Sequence, residues 1–409
     1  MTAHVMTLPA LRQASRAALA GLPADLAFCH PAIRDLGAID GAAGTLELQL
    51  APGTTADADL ERQVRAVVAL SLASYRFVES PPPLWRHDAS AHAGGASALG
   101  DFVTSHTRTL GPGQYALLGP AAELRAWFDG RILELARGVA AESWHLPSIE
   151  CSHDLIKATG YLASHGQHVS FGFQVPPHHD TLCAFAERAR SGETRPDPAH
   201  LEPTGFILEP FVCHNVYRSL RGERLLGGRA ITALGTCYRH EGFRFRPLLR
   251  QWEFSMREIV LAGPAAWVDT QRRTLIALAQ ALAVELDLDA RLEVATDPFF
   301  VAEAAAQRTY QAMASTKLEL WLATSGSADG SGVAGTSFNS CGRVFSQPMD
   351  IRGGDGEPVE TACVGFGLER WMAAFVARWG ADPARWPELH RRRSGHAPGG
   401  AGWQNSAST

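Results

Sequence analysis

The chain has 409 residues, 46% of them hydrophobic, which is enough for two domains and a large core. A net charge of −5, with lysine only at Lys157 and Lys317, provides no general basic field for holding nucleic acid. Seven cysteines without paired spacing point to a reducing compartment rather than a disulfide framework. Residues 1–25 lack a leader pattern and no run of about 18 apolar residues offers a membrane span, so a cytoplasmic protein away from membranes is expected.

Residues 7–22 carry a helical period that ends on a glycine, 45–50 alternate like a strand, and 58–74 form an amphipathic helix. The runs SPPPLW (80–85) and HAGGASALG (92–100) read as turns and loop, placing a domain boundary near 85–100. His30 beside Cys29 is read as a coincidence of neighbours. Next come a helix over 118–139 with a proline at its start, a strand around 144–149 and a short helix over 153–163. His178-His179-Asp180 precedes a helix (181–190), where Asp180 is read as its cap rather than a metal ligand. A strand at 205–209 and a helical stretch at 212–220 lead to two strand-like runs, 231–238 and 252–261. A helix over 264–287, a strand at 317–322, a Gly/Ser loop (323–336) and residues 337–345 follow. A final strand passes through Gly365-Phe366-Gly367 into a helix beginning near Leu368. The tail from His390 is rich in Arg, Gly, Ser and Pro and is expected to be disordered. Hairpins mixed with long helices indicate an α+β protein on a mostly antiparallel sheet.

The chemistry centres on the hairpin over 229–262. Arg239, Glu241, Arg244, Arg246 and Arg250 crowd its loop, and arginines on a half-buried sheet require an anion, which suggests a polyphosphate cradle. The glycines at 365 and 367 let a ligand approach the strand, and Arg370 lies in the first turn of the helix beyond. Arg239, Arg250 and Arg370 suit phosphates, Glu241 can accept from an adenine amine, and Phe254 can stack on a purine.

This set resembles the catalytic domain of class II aminoacyl-tRNA synthetases, with motif 2 at 237–258, motif 3 at 363–370 and a degenerate motif 1 in the helix over 118–139 plus the next strand. YRHEG and RQWEFSMREIVLAGPAAWV are similar to the amino acid:[carrier protein] ligases, relatives of the atypical zinc-dependent seryl-tRNA synthetases. The likeness spans roughly residues 105–388 and implies an antiparallel sheet flanked by helices, in a homodimer. It also implies a zinc site at Cys213 (in EPFVCHNVY), Glu258 and Cys363, and substrate contacts at Lys317, Glu319 and Asn339. Magnesium would accompany ATP near Ser337-Phe338-Asn339. The stretch after Asn339 departs from the family by lacking a histidine, which bears on amino acid choice. Cys151, Cys183, Cys237 and Cys341 are read as small buried apolar residues.

The division expected is a small α/β extension over 1–100, a catalytic domain over 101–389 and a tail over 390–409. The activity implied is ATP-dependent adenylation of a small amino acid, glycine or alanine, then transfer to the phosphopantetheine thiol of a carrier protein. The competing readings are an atypical seryl-type aminoacyl-tRNA synthetase and a non-catalytic paralogue. The N-terminal residues are neither basic nor a coiled coil, so tRNA is not the expected partner. The motif arginines are all present, which disfavours an inactive chain.

Overall fold

Alternating leucines build the first folding unit. The computed structural model describes residues 1–75, 82–90, 97–154, 161–295, 316–324 and 332–387. Strand β1 (Thr2–Thr7) is followed by helix α1 (Arg16–Leu26), strands β2 (Ile33–Asp40) and β3 (Thr45–Leu50), and helix α2 (Ala58–Ser74). β3 is the middle strand of an antiparallel sheet ordered β1-β3-β2. Its period of two puts Leu46, Leu48 and Leu50 into one core with Leu22 and Leu26 of α1 and Leu60, Val64 and Val68 of α2. Ser15 and Asp57 cap the two helices, accepting from the amides of Ala18 and Leu60. The helix expected over 7–22 is therefore shifted. Thr2–Thr7 pairs with β3, Pro9 opens a 3-10 turn, and Ser15 starts the helix. Gly21, expected to stop it, lies inside, where a Cβ would stand 2.3 Å from the Tyr75 hydroxyl.

The remaining elements are β4 (Trp85–His87), α3 (Ala98–His106), the hairpin β5 (Thr107–Gly111) and β6 (Gln114–Leu117), α4 (Pro120–Gly138), β7 (Glu142–Trp144) and β8 (Ile149–Cys151). Then come β9 (Phe171–Gln174), α5 (His179–Arg190), β10 (Glu202–Leu208), α6 (Cys213–Ser219), β11 (Arg224–Leu225), β12 (Arg229–Tyr238) and β13 (Glu253–Gly263). The chain continues through α7 (Ala265–Glu285), β14 (Ala290–Val294), β15 (Lys317–Ala323), β16 (Gly332–Gly342), β17 (Arg352–Gly353), β18 (Glu360–Gly367) and α8 (Leu368–Trp379).

An eight-stranded sheet ordered β4-β14-β15-β16-β18-β13-β12-β7 organises this body, antiparallel except where β7 joins β12. Residues on both sides of the boundary expected near 100 pack with it: β4 pairs with β14, and Phe102 of α3 lies in its core. Helices α4, α7 and α8 cover one face. Leu318, Leu320 and Leu322 of β15, Phe338 of β16, Val364 and Phe366 of β18, and Ile259 and Leu261 of β13 all point that way. α8 is buried nearly all round, with Trp371, Met372 and Phe375 fully enclosed. The alternate residues of the same strands face the other side, where the candidate site lies.

Local details differ from the sequence expectation. The strand foreseen around 144–149 is two strands in different sheets, β7 and β8, separated by Pro147, and β8 belongs to a small sheet ordered β8-β10-β9. Asp180 does not cap α5: His178 holds that position without a side-chain bond, and Asp180 sits in the first turn. β16 begins at Gly332 rather than near Ser337. The tail from His390 and part of the helix expected over 153–163 lie outside the described residues. No helix among those described is long and apolar enough to cross a membrane.

Candidate active site

Strand register gathers those expected residues that lie on the sheet. One row across the sheet reads Ala233, Glu258, Gly365, Ser337, Glu319, and the next reads Ile231, Val260, Cys363, Asn339, Lys317. On the other side of the first row lies Gly235, Met256, Gly367, and Phe254 pairs with Cys237 beyond it. Positions two apart on a strand share a face, so Phe254, Met256 and Glu258 form a line along β13. Gly365 sits close under this line: a Cβ there would meet the Met256 methyl at 2.5 Å and push that side chain aside.

At one end of that line, one ligand atom each from Cys213, Glu258 and Cys363 lies within 4.8 Å of the others, and all three residues are buried. α6 delivers Cys213 at its first residue, whose amide donates to Glu258 Oε2 at 2.8 Å. Burial and the neighbouring Cys363 sulfur push the Glu258 carboxyl up to about 8. Hydrogen bonds from the Cys213 and Cys341 thiols pull Cys363 well below the ordinary thiol value, and Asn339 Nδ2 donates to its sulfur at 3.5 Å. Two sulfurs and a carboxylate converging in a buried spot form a donor set that fits zinc and leaves a fourth position for a substrate group.

Sequence reasoning missed several neighbours here. Cys341, read as a small apolar filler, stands beside Cys363: it lies two residues beyond Asn339 on the same face of β16, at a bulge between Ser340 and Gly342. Of the other cysteines given that reading only Cys237 is fully buried; Cys151 is half-buried and Cys183 exposed. Behind α6, His214 pairs with Glu150, and Asn215 donates to Glu209 at 2.8 Å, all four residues buried. Burial, then the Glu150 and Glu258 charges, raises Glu209 to about 9. These bonds fasten the first turn of α6, and so Cys213, to the β8-β10-β9 sheet. The polar residues following Cys213 in EPFVCHNVY were the available signal.

Arginines gather at the other end. The Arg239 guanidinium lies 5.3 Å from the centre of the Phe254 ring, and its Nε donates to the Pro210 carbonyl at 2.9 Å. Arg250 donates to Glu241 at 2.6 Å. Burial alone would raise Glu241, but Arg250, His168 and Arg370 hold it down at about 2. Arg370 donates to the carbonyls of Leu249 and Ala334, both at 3.0 Å. Burial, and then the Arg250 charge, lowers both Arg370 and Arg244 to about 10. Arg239, Arg244, Arg250 and Arg370 thus crowd around the single carboxylate of Glu241, an excess of half-buried positive charge that suits a polyanion. Lys317 pairs with Glu319 at 3.2 Å on the pocket side of β15. Each expected site residue therefore lies on one sheet face, in the loop beside it, or in the first turn of α6 (Cys213) or α8 (Arg370). Arg250 and Glu241 bind each other, and Arg239 already covers the ring expected to stack on a purine.

No protein-family model matches the chain. Its fold is similar to that of M. kandleri seryl-tRNA synthetase in complex with A. aeolicus tRNASec, with a TM-score of 0.69 and 20% identity over 89% of this chain and 73% of that one. The seryl-tRNA synthetase of Pyrococcus horikoshii complexed with ATP gives 0.54 and 13% over 83% and 79%. The fold is that of the class II seryl-tRNA synthetases, a mixed α+β architecture with antiparallel sheet flanked by helices. In sequence the chain is 32% identical over 212 residues to amino acid–[acyl-carrier-protein] ligase 1 of Bradyrhizobium diazoefficiens, covering 50% of this chain and 64% of the relative. It is 30% identical over 204 residues to the type-2 serine–tRNA ligase of Methanococcus aeolicus, covering 48% and 39%. The chain is a homologue of these two groups, amino acid–[acyl-carrier-protein] ligases and type-2 serine–tRNA ligases. It spans between about two fifths and two thirds of the length of these relatives.

Proposed function

We propose that the chain activates a small amino acid, glycine or alanine, with ATP and passes it to the phosphopantetheine thiol of a carrier protein. The observation that carries this reading is that one face of β13 carries Phe254, beside half-buried Arg239, and four residues on Glu258, beside Cys213 and Cys363. A purine nucleotide at the first end and an amine at the second would bring a carboxylate to the α-phosphate between them. In the first step a carboxylate oxygen attacks the α-phosphorus, the bond to the bridging oxygen breaks, and pyrophosphate leaves. Arg239, Arg250 and Arg370 stabilise the charge on the phosphates, with magnesium as companion to ATP. In the second step a thiol sulfur attacks the acyl carbonyl and AMP leaves. Cys213, Glu258 and Cys363 would hold zinc, which supplies a Lewis acid for the substrate amine. Lys317, Glu319 and Asn339 face the same end and would orient the amino acid. The chain is expected to act as a homodimer through α4 and β7.

The relationship to type-2 serine–tRNA ligases supports a second reading, aminoacylation of tRNA. Pyrophosphate exchange across the amino acids tests the first step, and parallel transfer assays with holo carrier protein and with tRNA identify the acceptor. Charging of tRNA with none of the carrier protein would overturn the main reading. Arg239→Ala should lower exchange by about a hundredfold or more while the protein stays folded; undiminished exchange would remove Arg239 from the phosphate site.

A further inference from the structure

The loop between β12 and β13, which carries Glu241, Arg244 and Arg250, rests on the N-terminal unit. A Cβ at Gly242 would lie 2.3 Å from the Ala27 carbonyl oxygen, and Gly242 also has φ +64°, so the two backbones meet where only glycine fits. The next residue, Phe243, leaves the loop and packs against the core of β1–β3, α1 and α2. Phe28, just beyond α1, returns the contact. Its ring is edge-on to His168 at 5.3 Å and tilted against His240 at 5.7 Å. His168 and His240 are joined in turn, the His240 amide donating to the His168 carbonyl at 3.1 Å. The far flank is held as well: the Trp252 amide donates to the Gly113 carbonyl at 2.9 Å, and Gly113 abuts the Phe245 ring.

Nothing in the adenylation chemistry requires Phe28 or Phe243, and neither has a polar group to offer ATP. We propose that the N-terminal unit acts as a fixed seat for the ATP-side loop, with Phe243 as the anchor and Phe28 as the positioning residue beneath His240. Seating Phe243 holds the flanking Glu241 and Arg244 in place before the nucleotide arrives. The entropy of ordering the loop is then lost on folding rather than on binding ATP. This inference rests on reading the loop as an ATP loop. It assigns the first 74 residues a role in the first half-reaction, whichever acceptor is used in the second.

The test uses the whole chain with ATP as the ligand. Phe243→Ala and, separately, Phe28→Ala should raise KM for ATP in pyrophosphate exchange by about tenfold. KM for the amino acid and the bound metal should be unchanged. Phe243→Leu should restore most of the loss. Hydrogen–deuterium exchange without nucleotide should become faster over 239–251 in both alanine variants. If Phe243→Ala fails to fold, the smaller Phe28→Ala change decides. An unchanged KM for ATP with unchanged loop exchange overturns the seat. Wild-type protein that binds no ATP overturns the underlying reading instead, and the seat with it.

Discussion

Glu258 and Glu241 belong to the same hairpin and are driven in opposite directions, one up to about 8 and the other down to about 2. Both are buried, so the difference lies in their neighbours: sulfurs around Glu258, and Arg250, His168 and Arg370 around Glu241. Cys363 and Cys341 invite a parallel comparison, since both are thiols on the open face. Cys363→Ser should lose bound zinc and Cys341→Ser should keep most of it, because Cys341 approaches Cys363 without belonging to the converging trio; metal analysis of the two variants decides. His168 gives a pH prediction. Burial, with the Arg239 and Arg250 charges, outweighs Glu241 and lowers its value below 6.5. Between that lowered value and 6.5 the unfolded chain takes up a proton that the folded one refuses. Stability is therefore full above about pH 6.5 and falls as the pH drops below it. Thermal melts across pH should show this decline, and His168→Phe should flatten it.

At the scale of elements, β13 is the piece that works on both sides. Its even positions, Phe254, Met256 and Glu258, line the site, while Arg257 between them turns to the helix face. There it donates to both Asp129 oxygens of α4, at 2.5 and 3.0 Å. Ser255 likewise takes the first turn of α8, its amide donating to Glu369. The site strand is thus bolted to two helices, and the bolt at Arg257 is mostly buried. Arg257→Ala would leave the Asp129 charge unpaired and should cost about 3 kcal/mol of stability, read from the denaturation midpoint. Because α4 and β13 move together, the loss should appear as global destabilisation before it appears in KM. Much of this strand was legible beforehand. The alternation of Phe254, Glu258 and the residues between them is a local property that period-two counting recovers. The partners of Arg257 and Ser255 were not legible, since nothing local marks Asp129 or Glu369 as their counterparts.

At the scale of the molecule, two bodies meet at the loop that carries the arginines. The N-terminal unit has a core of its own, and Phe243 of the loop joins that core rather than the larger one. The large sheet places the cysteine end of the pocket next to α6, and α6 is tied through Glu150 and Glu209 to the β8-β10-β9 sheet. Both ends of the pocket therefore depend on units outside the eight-stranded sheet. This arrangement gives the Phe243 and Phe28 variants their diagnostic value: a disturbance in the N-terminal unit should reach ATP and leave the metal end untouched.

By itself the sequence determined the local chemistry. It marked the hairpin with its arginines, the glycines before α8 and the strand periods, and family likeness singled out Cys213, Glu258 and Cys363, which the fold brings together. These are properties of neighbouring residues or of whole motifs, set by side-chain alternation and backbone freedom. The tertiary structure decided what those residues meet. The register of β16 on β18 sets Asn339 beside Cys363, the register of β18 on β13 brings Cys363 next to Val260 and Gly365 next to Glu258, and the end of α1 meets the β12–β13 loop at Gly242. Such contacts join positions tens to hundreds of residues apart, and they form only when burying both partners outweighs the entropy of closing the chain between them. That balance belongs to the whole fold and to no one segment.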